Sequence, residues 1–144
     1  MKYLISILII IGIALSCKSP NTSTSENNKE IAPKENDTVR IANDSIEYEI
    51  IIIEPGFNAW LAGNARPEGF YSQTFLENRN YQYVIAYNQR VLQPQVFDPN
   101  LYQIQINYQQ GIDYGYDVNY KLYNYFIYFQ LKYKQQLTGL VPRI

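Results

Sequence analysis

The aromatic side chains of this chain are crowded into its second half, and this distribution decides where a core can form. Thirteen of the fifteen tyrosines lie at or after Tyr71, together with four of the six phenylalanines. Aromatic side chains bury large areas and dominate the energetics of small cores. The part of the chain after residue 44 can therefore build one hydrophobic core, and we expect one small domain.

The chain begins with a short apolar segment that is typical of a secretory signal. Residues 3–15 form a run of thirteen mostly apolar residues, preceded by Lys2 and followed by Ser16 and Cys17. A membrane-spanning helix needs about 20 apolar residues, whereas the apolar part of a signal needs about 7 to 15. Residues 14–16 resemble the lipobox that precedes the modified cysteine of bacterial lipoproteins. We therefore expect residues 1–16 to be removed and Cys17 to be lipidated.

Two other interpretations of this segment stay open. An ordinary cleaved signal would leave Cys17 as a free thiol, and an uncleaved segment would remain as an anchor. Lipidation is favoured, because the residues that resemble a lipobox directly precede the only cysteine of the chain. One acyl chain holds a protein reversibly, whereas two or three give lasting attachment. The expected partner of the N-terminus is thus a membrane.

The segment that follows the cysteine is predicted to be a tether. Residues 17–44 are polar, mixed in charge and almost free of aromatic side chains. Such a segment cannot bury enough apolar surface to offset the entropy that ordering would cost. We therefore expect a disordered tether. Because residues 18–20 lack an acidic cluster of the kind found in surface-export signals, we expect an outer-membrane protein whose domain faces the periplasm.

Composition argues against the common kinds of catalytic and metal site. The chain has no histidine and one cysteine, and its formal net charge is -1. These values disfavour histidine-based catalysis, zinc centres and nucleic-acid binding. Asp113 and Asp117 flank Gly115, but this spacing does not match a calcium loop, and we expect them to order a turn and cap a helix. We expect no enzyme, no cofactor and no metal, and we assign no catalytic residue.

The hydrophobic patterns predict an α+β fold, namely a small helical domain with a two-stranded β element. Residues 46–53 begin with alternation and continue as isoleucines, and residues 102–108 alternate cleanly, so we expect these two strands to pair. Residues 57–63 predict a short helix after a Pro-Gly turn. Residues 72–92 predict a long amphipathic helix that Pro94 ends. Helices must cover the strand pair, because two strands alone are not stable in water.

The last long segment, residues 117–137, fits two periodicities. At 3.6 residues per turn it is a helix with apolar side chains on two opposite sides, whereas at period two it is a strand. We favour the helix, because the segment is longer than most strands, Asp117 can cap its start and Gly139 suits its end. The fold then has two long amphipathic helices in a globular domain at residues 45–138, followed by a frayed tail at 139–144.

The second apolar side of this helix is the candidate partner surface. It consists of Tyr120, Tyr123, Ile127 and Leu131. One interpretation is a helix packed between other elements, which would bury these side chains. The other is an exposed face that docks an envelope protein or a glycan. Accessible tyrosines beside asparagines would favour a glycan, whereas an uncharged patch that includes Ile127 and Leu131 would favour a protein.

Three stretches of the sequence resemble a family of short, uncharacterised lipoproteins of Gram-negative bacteria. They are residues 54–61 (EPGFNAWL), the pair Tyr87-Asn88, and residues 112–126 (IDYGYDVNYKLYNYF). The resemblance covers residues 46–137. It implies the compartment and the domain boundaries, and it brings no activity, ligand or catalytic residue.

The sequence thus predicts a membrane-anchored envelope lipoprotein of unknown activity. Its expected role is that of a protein-interaction or structural module, since this role accounts for the lipid, the tether and the lack of catalytic groups together. A small glycan-binding or peptidoglycan-binding lipoprotein is the alternative.

Overall fold

The computed structural model describes residues 38–139, 142 and 144 of the chain. Two strands precede three helices: β1 (Thr38–Asn43), β2 (Tyr48–Ile53), α1 (Phe57–Asn64), α2 (Gln73–Val91) and α3 (Tyr116–Lys132). This is the small α+β domain with a two-stranded element and two long helices that the hydrophobic patterns predict. The predicted signal at residues 1–16, the lipidation residue Cys17 and tail residues 140, 141 and 143 lie outside the described residues.

The two strands form an antiparallel hairpin, paired along their whole length. A 3-10 turn at Asp44–Ile46 joins them. The Asn43 side chain accepts a hydrogen bond from the Ser45 amide at 3.0 Å, which orders the turn. Glu47 has a positive φ of 51° and leads the chain into β2. The strand predicted at residues 46–53 is therefore confirmed.

Two predictions about this hairpin are wrong. The last residues of the predicted disordered tether, Thr38–Asn43, form β1, so the prediction is wrong there. Residues 17–37 of the tether lie outside the part that the structure describes. Residues 102–108, predicted to be a strand, form none, and β2 pairs with β1 instead. Closing a short loop costs less chain entropy than closing a long one, and β1 is next to β2 in the chain. Alternation in β1 is too weak for sequence reasoning to separate it from the polar residues before it.

α1 and α2 lie where the sequence predicts helices. α1 follows Gly56, whose positive φ of 86° turns the chain from β2 into the helix. α2 begins after Ser72, whose hydroxyl oxygen accepts a hydrogen bond from the Phe75 amide at 3.2 Å. This bond satisfies one of the free N–H groups at the helix start. The buried side of α2 carries Leu76, Tyr83, Val84 and Tyr87, as expected of an amphipathic helix.

Residues 117–137 are helical rather than extended, as favoured above, but two details differ. α3 ends at Lys132, five residues earlier than predicted. Gly115 occupies the N-cap position, so Asp117 is not the cap. Asp117 lies in the first turn instead, where its negative charge stabilises the positive end of the helix dipole.

α3 is the central element of the domain and contacts α1, α2 and β1. Between residues 118 and 130, every side chain except Lys121 is buried. A helix with apolar residues on all sides must be covered on all sides. The other elements therefore pack around α3 rather than beside it.

Aromatic contacts join α3 to its neighbours. Phe126 packs against Tyr83 and Tyr87 of α2, with ring centroids 5.5 and 6.0 Å apart. Tyr128 packs against Phe57 of α1 with a centroid separation of 5.6 Å. Such tilted and edge-to-face pairs contribute about 0.5–1.5 kcal/mol each beyond the area they bury. The tyrosine-rich composition is thus used mainly for the core.

Buried amides on α3 are hydrogen-bonded. Asn119, Asn124 and Gln130 each donate to the carbonyl oxygen four residues earlier, at 2.9, 2.9 and 3.0 Å. The Asn119 oxygen also accepts hydrogen bonds from Asn80 of α2 at 3.0 Å and from the Tyr108 hydroxyl at 2.7 Å. An unsatisfied buried polar group costs about 1–3 kcal/mol, so these bonds fix how α3 is rotated against α2.

We predict that Gly56→Ala destabilises the domain by about 1–3 kcal/mol, because a residue with a side chain is strained at a positive φ. The new Cβ would also lie 3.0 Å from the Tyr128 hydroxyl oxygen. Gly63→Ala in α1 is the matched control, since nothing lies within 4 Å of its Cβ position. That change should be neutral or stabilise by up to about 1 kcal/mol. Urea denaturation measures both, and equal effects would contradict the prediction.

Candidate functional site

The candidate partner surface on α3 does not exist as an exposed face. Tyr120, Tyr123 and Ile127 are buried, and only Leu131, at 41% exposure, is accessible. The Tyr120 hydroxyl donates to the Arg66 carbonyl at 2.7 Å in the loop after α1. This side of α3 is thus covered by the chain that joins α1 to α2. The prediction of an exposed docking face is wrong, and the alternative of a helix packed between other elements accounts for these residues.

Asp113 and Asp117 have structural partners. Asp113 accepts hydrogen bonds from the Gly115 amide at 2.9 Å and from the Gln73 side chain at 2.7 Å. Asp117 pairs with Lys121 at 2.8 Å. Among the residues that the structure describes, no group of three or more His, Cys, Asp or Glu side chains could hold a metal ion. In the same part of the chain, no helix is long and apolar enough to cross a membrane.

A groove of about 460 Å³ runs between β2 and the segment that passes opposite it, residues 100–107, which we call the facing segment. Both were predicted to be strands that pair with each other. Among the described residues, no backbone hydrogen bond joins them. Side chains from both, and from α2, α3 and the residue after α3, line the groove, including Ile50, Ile52, Tyr87, Ile104, Ile106, Tyr125, Phe129 and Tyr133.

Two polar side chains of α2 bond to the facing segment, and Arg90 reaches the Tyr102 hydroxyl at 2.6 Å. The Asn88 amide nitrogen donates to the Ile106 carbonyl at 2.8 Å, and its oxygen accepts from the Ile106 amide at 2.9 Å. One side chain can reach both backbone groups of a residue only where they point to the same side, as in a β-strand. The Asn88 amide therefore takes the place of a neighbouring strand.

A tyrosine closes one end of the groove. The Tyr48 hydroxyl donates to the Asn107 carbonyl at 2.7 Å. At this end a whole tyrosine side chain spans the gap between the backbones of β2 and the facing segment. Paired strands lie only about 4.8 Å apart, so the two backbones are too far apart to bond to each other directly.

The floor of the groove is apolar and uncharged. Tyr125 and Phe129 of α3 and Tyr87 of α2 line it, and all three are largely buried. Burial raises the pKa of Tyr87 to about 12. Burial also raises the pKa of Tyr125 well above its ordinary value. Both hydroxyls therefore stay protonated at neutral pH.

The two carboxylates at the groove are both paired. Glu49 forms an ion pair with Arg40 of β1. Glu54, which is almost fully buried, accepts hydrogen bonds from Lys132 at 2.6 Å and from the Tyr133 hydroxyl at 3.0 Å. Desolvation lowers the pKa of Lys132, but hydrogen bonds to Glu54 and Tyr128 outweigh it, so the net shift is upward. The groove therefore presents no uncompensated charge.

A second cavity, of about 370 Å³, lies near the start of α2 and differs in chemistry. Gln73, Glu77 and Asp113 line it, and the Gln73 side chain donates to both carboxylates at 2.8 and 2.7 Å. Ile112 lies at its edge. This polar cleft offers control positions for experiments on the apolar groove.

A family model describes a family of unknown function, DUF6146, and it matches residues 4–142. The chain belongs to this family. No curated protein and no solved structure matches it. The resemblance to an uncharacterised family is thus confirmed, while its lipoprotein character and Gram-negative origin stay predictions.

In this DUF6146 protein, sequence reasoning missed the groove although it found both walls. The isoleucine run of β2 and the alternation at residues 102–108 each indicate an extended backbone. Neither pattern shows whether two such segments pair or stand apart. One sequence feature that could have indicated the groove is the Tyr87-Asn88 pair. It places an amide side chain next to a core tyrosine, on the side of α2 that faces the rest of the domain.

We predict that Asn88→Ala releases the backbone of Ile106 from α2, while Arg90 still bonds to Tyr102. Two hydrogen bonds to Ile106 are lost, which should destabilise the domain by about 1–3 kcal/mol. The Ile106 amide should exchange its hydrogen much faster, as measured by hydrogen exchange with NMR detection. The control is Gln89→Ala, because Gln89 is exposed on the same helix. Unchanged protection of Ile106 in the Asn88 variant would contradict this role.

Proposed function

We propose that this protein is a lipid-anchored lipoprotein of the bacterial outer membrane whose periplasmic domain binds another protein in the groove between β2 and the facing segment. It is not an enzyme in this proposal. The observation that carries the proposal is the groove itself, since it combines an apolar floor with two walls whose backbones do not bond to each other.

The sequence around Cys17 supports the anchor. The apolar run before it is too short to span a membrane, and the residues just before it resemble a lipobox. A lipid at Cys17 would hold the domain near the membrane through the polar residues that follow. Attachment of this kind suits a protein that retains or positions a partner rather than one that diffuses freely.

The chemistry of the groove favours a protein partner over a glycan. A sugar-binding site needs accessible aromatic faces and polar side chains. The tyrosines and asparagines of α3 that would form one, Tyr120, Tyr123, Asn119 and Asn124, are buried. The exposed side chains beside the groove include Ile51, Ile53 and Ile104. Apolar surface of this kind is typical of contacts between proteins.

The anchor is tested with Cys17→Ala. Cells fed labelled palmitate should label the native protein and not the variant. The native protein should stay with membranes after a high-salt wash, and the variant should be released, because two or more acyl chains are needed for lasting attachment. Ser16→Ala keeps a small residue before the cysteine and should label normally. A Cys17 variant that remains equally membrane-bound would contradict the anchor.

The binding site is tested with a photoreactive amino acid placed at Ile104 in intact cells. We expect a discrete crosslinked protein from Ile104, which is 77% exposed and lines the groove, and none from Ile112 at the polar cleft. The captured protein is then purified. Ile104→Asp should weaken its binding at least tenfold, because a carboxylate would have to be buried, and Ile112→Asp should not.

Two results would contradict a binding role of the groove. One is that the photoreactive amino acid gives the same crosslinked proteins at Ile104 and at Ile112. The other is that Ile104→Asp leaves the affinity for the captured protein unchanged. Because Ile104 is exposed, its substitution should leave the fold intact, and circular dichroism checks this.

A further inference from the structure

We infer that the groove binds its partner as a single extended segment that inserts between β2 and the facing segment and bonds to the backbones of both. This inference rests on the proposed protein-binding function and specifies the chemistry of the partner. The bound segment would be uncharged and would carry apolar side chains at every second position.

The first support is the free edge of β2. The sheet of the described residues has two strands, so β2 pairs on one side with β1 alone. In an antiparallel pair, every second residue directs its N–H and C=O away from the partner strand. Half of the six residues of β2 therefore present unpaired backbone groups on the groove side. Such an edge is a template with which another extended chain can pair.

The second support is the opposite wall. Ile106 directs its N–H and C=O toward Asn88 on α2. Neighbouring residues of an extended chain direct theirs to the other side, so Gln105 and Asn107 point away from α2. The bond from the Tyr48 hydroxyl to the Asn107 carbonyl shows that this other side faces β2. The free edge of β2 thus faces the backbone groups of Gln105 and the N–H of Asn107 across the groove, while the Asn107 carbonyl already accepts from Tyr48.

The third support is charge. Glu49 and Glu54 are already paired, and the buried tyrosines of the floor stay neutral. A charged side chain that entered the groove would lose its hydration without gaining a partner. Side chains of a strand alternate between two faces, so every second residue of the bound segment would contact the apolar floor. This pattern requires apolar, uncharged residues at those positions.

The geometry also selects among possible occupants. A segment between two walls must be free on both edges. β2 of a second copy has one free edge, because β1 occupies the other. Residues 18–37 of this chain are mostly polar, so they do not match the apolar floor of the groove. They also contain two prolines, which cannot donate the backbone hydrogen bonds of a paired strand. The occupant is therefore an extended segment of a different protein.

The test uses a blocked peptide of seven residues in which threonine and valine alternate, added to the purified mature domain. We expect saturable binding that Ile104→Asp weakens and Ile112→Asp does not. Methyl groups on the valine amides block one edge of the peptide, and those on the threonine amides block the other. Each lost hydrogen bond should weaken binding roughly two- to tenfold, and at least two are lost on each edge, so either methylated peptide should bind at least about fourfold more weakly.

Hydrogen exchange gives a second readout, the pattern of protected amides. A general stabilisation of the domain would slow exchange at all of these amides rather than at alternate ones. Bound peptide should protect alternate amides of β2, and those of Gln105 and Asn107, while Ile106 should not change, because Asn88 already binds it.

Three results would overturn strand insertion: no measurable binding of the unmethylated peptide, no effect of methylation on one of its edges, or protection that does not alternate. The crosslinking at Ile104 is independent of these results. A partner captured there that is insensitive to backbone methylation would leave the proposed function standing and remove only this inference.

Discussion

The burial of α3 from residue 118 to residue 130, where only Lys121 reaches solvent, is the constraint on which the rest of the structure depends. A helix with large side chains on every face cannot lie on a surface, so α1, α2, the hairpin and the loops must all cover it. Covering it also buries Asn119, Asn124 and Gln130. Their amides bond to backbone carbonyls four residues earlier in the chain, and Asn119 also bonds to Asn80 of α2. These buried polar groups therefore fix the rotation of α3 against α2.

The groove follows from the same arrangement. α3 provides its floor through Tyr125 and Phe129, while the hairpin and the facing segment lie on either side. Asn88 and Arg90 of α2 bond to Ile106 and Tyr102 of the facing segment and so keep it on α2 rather than on β2. The domain thereby gains a two-walled opening in which both carboxylates, Glu49 and Glu54, are paired. Such an opening suits the recognition of a polypeptide backbone, and a lipid at Cys17 would keep that recognition at a membrane.

Much of the fold could be predicted from the sequence, and the failures have definite causes. All three helices and β2 were found, because their patterns repeat over many residues or end at strong signals such as Gly56 and Ser72. β1 was missed because its few apolar residues follow a long polar stretch. The candidate site on α3 was placed wrongly for a different reason. The sequence of a helix with two apolar sides does not show what covers the second side. That side can bind a partner, or it can pack under a loop of the same chain, as it does here under the loop that carries Arg66.

The sequence by itself determined which segments are helical, that α3 carries apolar side chains on two opposite sides, and that the chain contains no histidine and one cysteine. These are local or compositional properties, and the order of side chains is enough to set them. The tertiary structure alone decided that β2 pairs with β1, that Asn88 holds Ile106, and that Tyr120, Tyr123 and Ile127 are covered. Each of these contacts joins segments that are distant in the chain. The hydrophobic pattern of the sequence is compatible with several such contacts, and only the packing of the segments around α3 selects one of them.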